Sequence, residues 1–169
     1  GLLFLEQTEW IQHFPELKAL RSTPQDPEWH PEGDVFTHTC HCCDALAGLP
    51  EWQALDEEDR IVYMLGTLAH DLGKPDTTHE KIRNGRTRIV SPGHAEVGVG
   101  LAESFLERID APLNTRGRIA PLVRHHMVHL DPISDRSVRR LAKRLVPETI
   151  EGLSLVIAAD HMGRPPRPA

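Results

Sequence analysis

A histidine followed at once by an aspartate, His70-Asp71, stands near the end of the run Ile61-Val-Tyr-Met-Leu-Gly-Thr-Leu-Ala-His-Asp-Leu-Gly-Lys-Pro75. Apolar residues at 61, 62, 64, 65, 68, 69 and 72 recur with helical spacing and form a wide stripe. Gly73 and Pro75 then end the helix. A nitrogen donor and an anionic oxygen donor therefore arrive side by side at the end of a buried helix. A buried carboxylate without a partner is costly, so it wants a cation or a strong donor. Imidazole and carboxylate together suit Zn, Fe, Mn, Co or Ni. Lys74 adds a positive charge just beyond the pair, where a phosphate could sit. Taken alone, His70-Asp71 would read as a capped helix end with a His–Asp hydrogen bond; the rest of the chain decides.

The chain has 169 residues, a net charge of −6, 26% charged and 39% hydrophobic residues. A chain this long is read as one domain that buries roughly 70% of its extended surface. Its mild acidity argues against a general nucleic-acid-binding surface, though not against a local basic pocket. Eleven histidines are the compositional oddity, and fourteen prolines mark many element boundaries. Aromatics are only 5%, so the core must rest on Leu, Val, Ile and Ala. Three crowded cysteines, Cys40, Cys42 and Cys43, do not make a secretory disulfide framework, and a reducing cytoplasm is expected. No apolar run approaches the ~18 residues of a transmembrane helix, and no membrane association is expected. Gly1-Leu-Leu-Phe-Leu5 is too short for a signal sequence. A start at Gly rather than Met is read as a piece excised from a longer protein or a tag remnant.

The elements that must position the pair follow in order. Residues 2–13 read as a short helix broken at Phe14-Pro15, and 21–33 as a Pro-rich loop carrying Trp29 and His30. His30 reads as a loop hydrogen-bonder rather than a ligand. Residues 34–48 read as a helix with Asp34 as N-cap and Gly48 as stop. There Val35, His38, Cys42, Ala45 and Leu46 share one face, with Thr39 and His41 off it. The cluster of His38, Cys40, His41, Cys42 and Cys43 invites a zinc reading. Residues so close on one helix point in different directions and cannot surround one ion, so Cys42 is expected to pack in the core. Residues 51–58 read as an acidic linker and 59–72 as the central helix. In the polar stretch 75–92, Asn84-Gly85 signals a turn, giving either a short hairpin or a loop. Its Lys81, Arg83, Arg86 and Arg88 either cover the mouth of a site or face solvent.

Gly93-His94 opens an amphipathic helix to about Ile109. Residues 115–130 form another, with His125-His126 beside its apolar stripe and His129 exposed. A basic helix capped by Ser134 or Asp135 presents Arg136, Arg139, Arg140, Lys143 and Arg144, read as a solvated face in preference to a nucleic-acid patch. A last helix from about Glu148 to His161 carries Asp160 on its apolar face, which is costly unless paired.

His38, His70-Asp71, His125 or His126, and Asp160 come from four separate helices, and His94 adds a helix start. Such convergence in a chain this small is hard to explain without a metal. The pattern His38, His70-Asp71-Leu-Gly-Lys74, Asp160 resembles the HD superfamily of metal-dependent phosphohydrolases. Phe14-Pro15-Glu16-Leu17, Trp29-His30-Pro31-Glu32-Gly33-Asp34, Gly93-His94, Leu122-Val123-Arg124-His125-His126 and Ala159-Asp160-His161-Met162-Gly163-Arg164 are similar, in order, to the HD domain of bacterial CCA-adding tRNA nucleotidyltransferases and poly(A) polymerase-like proteins. The resemblance covers roughly residues 14–166 of a single HD domain spanning 1–169. It implies an all-α bundle of about six to seven helices with an irregular or hairpin excursion at 76–92.

The resemblance further implies one divalent ion (Mn, Ni, Co, Mg, Fe or Zn) held by His38, His70, Asp71 and Asp160. The second oxygen of Asp71 could bridge to a second ion at His94 and His126, with His125 an added candidate; the sequence does not decide between one ion and two. Asp71 and Lys74 are the candidate catalytic residues. Lys74, with Arg124 and Arg164 as weaker candidates, would meet the substrate phosphate. The nucleotidyltransferase head of such proteins is absent: no Asp-x-Asp stands in a strand context, so nucleotide addition is not assigned. The expected function is a phosphohydrolase of the phosphatase, nucleotidase or 2′,3′-cyclic phosphodiesterase type, using metal-activated water on a phosphorylated small molecule or nucleotide. The alternative is a tRNA-contacting or dimerising module, as a homodimer, with a vestigial or structural metal site. A cyclic-dinucleotide phosphodiesterase is disfavoured because His125-His126 is followed by Met127, while a nucleotide triphosphohydrolase stays open.

Overall fold

The computed structural model describes residues 1–131 and 133–165. Within them, six helices have eleven residues or more: α3 (Val35–Gly48), α5 (Glu57–Ala69), α7 (His94–Arg108), α8 (Leu113–His125), α9 (Asp135–Leu145) and α10 (Ile150–Met162). Four short ones complete the set: α1 (Leu2–Gln7), α2 (Pro15–Leu20), α4 (Pro50–Gln53) and α6 (Lys74–Thr77). The fold is all-α apart from one small sheet, β1 (His79–Arg83) paired antiparallel with β2 (Arg86–Val90).

Helix α5 is the axis, packed against α3, α8 and α10, while α7 lies along α8. Asp56 starts it by accepting the Asp59 amide at 2.9 Å, and Glu57, Glu58 and Asp59 complement the positive end of the helix. Three other long helices use the same device: Asp34 accepts from Thr37 N at 2.8 Å and Thr149 from Gly152 N at 3.0 Å, and Ser134 forms a capping box with Ser137. Leu46, Val62, Leu122, Leu153 and Val156 are all fully buried around the axis.

Several elements depart from the sequence reading. Residues 2–13 are not one helix: Glu9 has φ 61°, and a 3-10 turn over Trp10–His13 follows. The stretch read as an acidic linker contains α4. Helix α8 stops at His125 rather than 130. Thr39, expected off the apolar face of α3, is fully buried and returns its hydroxyl to Val35 O at 2.8 Å. With α5 and α10 both against it, α3 is covered over more than one stripe. The polar excursion is a hairpin, turned at Asn84 (φ 51°) and Gly85 (φ 74°), with Lys81 opposite Arg88 and Arg83 opposite Arg86.

Candidate metal centre

His70 is the cap residue of α5, and Asp71 follows in a turn whose carbonyl accepts from Lys74 N at 3.0 Å. The turn is pressed against the start of α7. A β-carbon on Gly73 would meet His94 O at 2.1 Å and Gly98 N at 2.6 Å, so only glycine admits this approach. His38 comes from α3, His94 from the first turn of α7, His126 from the end of α8, and Asp160 from α10. All of these side chains are buried.

The four imidazoles are held in one way. Nδ1 of His70 donates to Thr67 O at 2.5 Å, that of His94 to Ser91 O at 2.7 Å and that of His126 to Val123 O at 2.7 Å. A carbonyl oxygen only accepts, so each Nδ1 carries the proton. Nδ1 of His38 lies 2.8 Å from Glu32 Oε1, an oxygen that accepts from His30 Nδ1 at 2.8 Å. Each ring therefore turns Nε2 inward, as ligand histidines fixed by outer hydrogen bonds do.

The inward atoms crowd together. His38 Nε2 is 3.0 Å from Asp160 Oδ1 and 3.8 Å from Asp71 Oδ2, and His70 Nε2 is 3.1 Å from Asp71 Oδ2. The other Asp71 oxygen, Oδ1, lies 3.4 Å from His94 Nε2 and 3.8 Å from His126 Nε2. Those two nitrogens are 3.1 Å apart. His38, Cys42, His70 and Asp160 offer atoms all within 4.8 Å of one another, and Asp71, His94 and His126 form a second such group.

Electrostatics follow from burial and pairing. Burial keeps His126 neutral, drawing its pKa down to about 4, and lowers that of His94. The two facing Nε2 atoms thus carry lone pairs at 3.1 Å, which repel unless a cation lies between them. Burial would also depress His70, but the Asp71 carboxylate, Asp160 and the Thr67 carbonyl together outweigh it and hold this imidazole above its ordinary value. Burial pushes the Asp71 carboxyl up, and His70 and Lys74 hold it well below the usual range instead. Asp160 is likewise held low against burial, by His38 at 3.0 Å, by His70 and by Arg164. His70 Nε2 and Asp71 Oδ2 are buried without a hydrogen bond, although Lys74 Nζ stands 2.7 Å from that oxygen. Bare nitrogens, an anionic oxygen pair and orphaned buried atoms are the requirements of a divalent cation.

The centre opens into a cavity of about 530 Å³ lined by Asp71, His94 and Asp160, by Lys74 and Arg164, and by Lys81, Arg83 and Arg88 of the hairpin. Lys74 Nζ also donates to Gln25 Oε1 at 2.7 Å, and Arg164 donates to both Asp160 oxygens at 2.8 and 2.9 Å.

Two predicted residues are not brought to the cluster. His125 is half-buried beside α9, with Arg144, Arg124 and Glu96 as its charged neighbours. Arg124 lies 3.5 Å from Glu96 and does not line the cavity. Three contributors were not foreseen. Glu32 and Gln25 sit in the Pro-rich loop, where no periodicity marks a buried side chain. Cys42 is buried in the core as read, and its Sγ also lies 3.3 Å from His38 Nε2. His30 is a loop hydrogen-bonder as read, and its partner is the carboxylate that orients His38; burial and then Lys74 draw its pKa down to about 4.

An all-α bundle with histidines and aspartates from five helical segments converging at the end of a central His-Asp helix defines a helical protein with a candidate metal centre. The model of the HD domain family matches residues 35–162, and the chain belongs to that family. It is 33% identical over 141 residues to the multifunctional CCA protein of Halorhodospira halophila (strain DSM 244 / SL1), covering 83% of this chain and 29% of that protein. It is 35% identical over 156 residues to the multifunctional CCA protein of Xanthomonas campestris pv. campestris (strain B100), covering 89% and 35%. The chain thus spans about a third of the length of the curated relatives it matches. No solved structure matches it. Among the described residues, no helix is long and apolar enough to cross a membrane.

Proposed function

We propose that the chain is a divalent-metal-dependent phosphohydrolase acting on phosphoric esters, of the phosphatase, nucleotidase or 2′,3′-cyclic phosphodiesterase type. The observation that carries this reading is the set of inward Nε2 atoms gathered around the two oxygens of Asp71 at the base of a cationic cavity. His38, His70, Asp71 and Asp160 would hold one ion; Asp71, His94 and His126 would hold a second. A bound ion supplies a water-derived nucleophile at neutral pH and offsets charge on phosphoryl oxygens.

The chain's own residues do the rest. Glu32 and three backbone carbonyls fix the rings, so the donors need no rearrangement to receive an ion. Lys74, held between Asp71 and Gln25, meets an anionic phosphoryl group at the cavity wall. Arg164 adds a second cation on the far side, oriented by Asp160. Preset charges of this kind act without reorganising during the reaction. Substrate is a phosphorylated small molecule or a nucleotide.

The relatives favour a second reading. Both are multifunctional CCA proteins, so the chain could instead serve as a tRNA-contacting part of a larger protein. Hydrolysis of a generic phosphomonoester and of a 2′,3′-cyclic nucleotide, with Mn, Ni, Co and Mg in turn, separates the two. Metal-dependent turnover that disappears in Asp71→Ala supports the hydrolase. Folded protein with no turnover under any metal overturns it and makes tRNA binding the next assay.

A further inference from the structure

We propose that Cys42 joins His38, His70, Asp71 and Asp160 as a metal ligand, and that its sulfur makes the set favour a thiophilic divalent ion such as zinc or cobalt over magnesium; this rests on the metal-centre reading above. Cys42 follows His38 by one helical turn of α3 and is fully buried. Its Sγ lies 3.3 Å from His38 Nε2, the nitrogen turned inward by Glu32. Zn–S of about 2.3 Å and Zn–N of about 2.0 Å would set a sulfur and a nitrogen on one ion roughly 3.0–3.5 Å apart. The donor atoms of His38, Cys42, His70 and Asp160 lie within 4.8 Å of one another.

Space for the sulfur is made on the opposite helix. A β-carbon on Gly163, the cap residue of α10, would stand 2.4 Å from Cys42 Sγ. The neighbouring cysteines are directed elsewhere: Cys40 and Cys43 line a separate apolar groove with Phe4, Leu17 and Phe105. A thiol donating to His38 Nε2 would satisfy only part of the cluster. Asp160 Oδ1 already lies 3.0 Å from that same nitrogen, and one thiol proton cannot separate both pairs. A cation bound to all of them does. On binding, the S–H bond breaks, sulfur donates an electron pair to the ion and the proton leaves to solvent. Thiolate with imidazole selects Zn, Co or Fe, whereas an oxygen-only set suits Mg.

Cobalt(II) titration of chelator-stripped protein, followed by absorption in the visible and near ultraviolet, tests the proposal. The expected spectrum combines visible d–d bands with a near-ultraviolet thiolate-to-cobalt band. That band is lost in Cys42→Ser and Cys42→Ala and kept in the Cys40→Ala/Cys43→Ala double variant. Should the Cys42 variants not fold, the double variant decides alone, because Cys42 is then its one remaining thiol. Cobalt bound with d–d bands but no thiolate band overturns the Cys42 assignment and leaves the metal centre standing. No cobalt binding at all overturns both.

Discussion

Gly73 and His94 meet backbone to backbone: a β-carbon on Gly73 would stand 2.1 Å from the His94 carbonyl oxygen. This contact seats the first turn of α7 on the turn that carries Asp71, bringing His94 Nε2 to 3.4 Å from Asp71 Oδ1. Gly73→Ala must push the two backbones apart, since neither obstacle is a flexible side chain. Overpacking of this kind costs about 1–3 kcal/mol. Chemical denaturation should show that loss, and metal titration should show the His94–His126 half of the centre weakened first. A variant with unchanged midpoint and unchanged metal stoichiometry would contradict the packing account.

Glu32 Oε1 lies 2.8 Å from the Nδ1 atoms of both His38 and His30, and so sets which way the His38 ring faces. Losing such an outer partner typically lowers metal affinity by about 10–100-fold. Glu32→Gln should do so with little change in fold, as measured by competition against a coloured chelator. Equal affinity in the variant would mean that packing alone orients His38.

Adjacent histidines should behave oppositely. His126 is buried with Nε2 facing His94 at 3.1 Å, whereas His125 looks toward Arg144. His126→Ala is expected to remove one metal equivalent and most metal-dependent activity, while His125→Ala retains both. Elemental analysis of the two purified variants distinguishes them directly.

The metal-stripped protein should lose stability on mild acidification. Burial draws His126 and His30 down to about 4 from an ordinary 6.5, so the unfolded chain binds more protons between those values. Stability then falls as pH drops from 6.5 toward 4. His126 alone, shifted by 6.5 − 4 = 2.5 units, contributes on the order of 3 kcal/mol. His70, held above its ordinary value, acts with the opposite sign, stabilising on acidification, and only around and above pH 6.5. Asp71 and Asp160 act only below the ordinary carboxylate range. Urea midpoints at a series of pH values check the sign, and a midpoint rising toward pH 4.5 would refute it.

The residues legible in the sequence share one property. His38, His70, His126 and Asp160 break apolar helical stripes, and a polar group on a buried stripe announces that something pairs with it. His94 was marked by its place at a helix start. Glu32 and Gln25 carried no such signal, because a Pro-rich loop has no period against which a buried side chain stands out. His125 and His126 could not be separated, since a helix end turns through a large angle between neighbours. Cys42 is core as its place on an apolar stripe implies, and its spacing of four from His38 already set sulfur beside imidazole; what the sequence lacked was the approach of Asp160 from another helix. The break at Glu9 follows a backbone φ of 61°, which no residue type there advertises.

The centre and the cavity mouth are built from different materials. The donors stand on helices locked into the core, or within two residues of their ends. The mouth is lined largely by a two-stranded ribbon in which β1 buries no side chain and arginine or lysine faces arginine across the turn. Like charges set directly opposite gain nothing for the ribbon itself. Apart from Arg88 and Ile89, which tie the ribbon to Asp26 and Glu28, lengthening or recharging its tip would disturb the bundle's folding free energy little, so the part that meets ligand can change while the part that grips the ion stays constant.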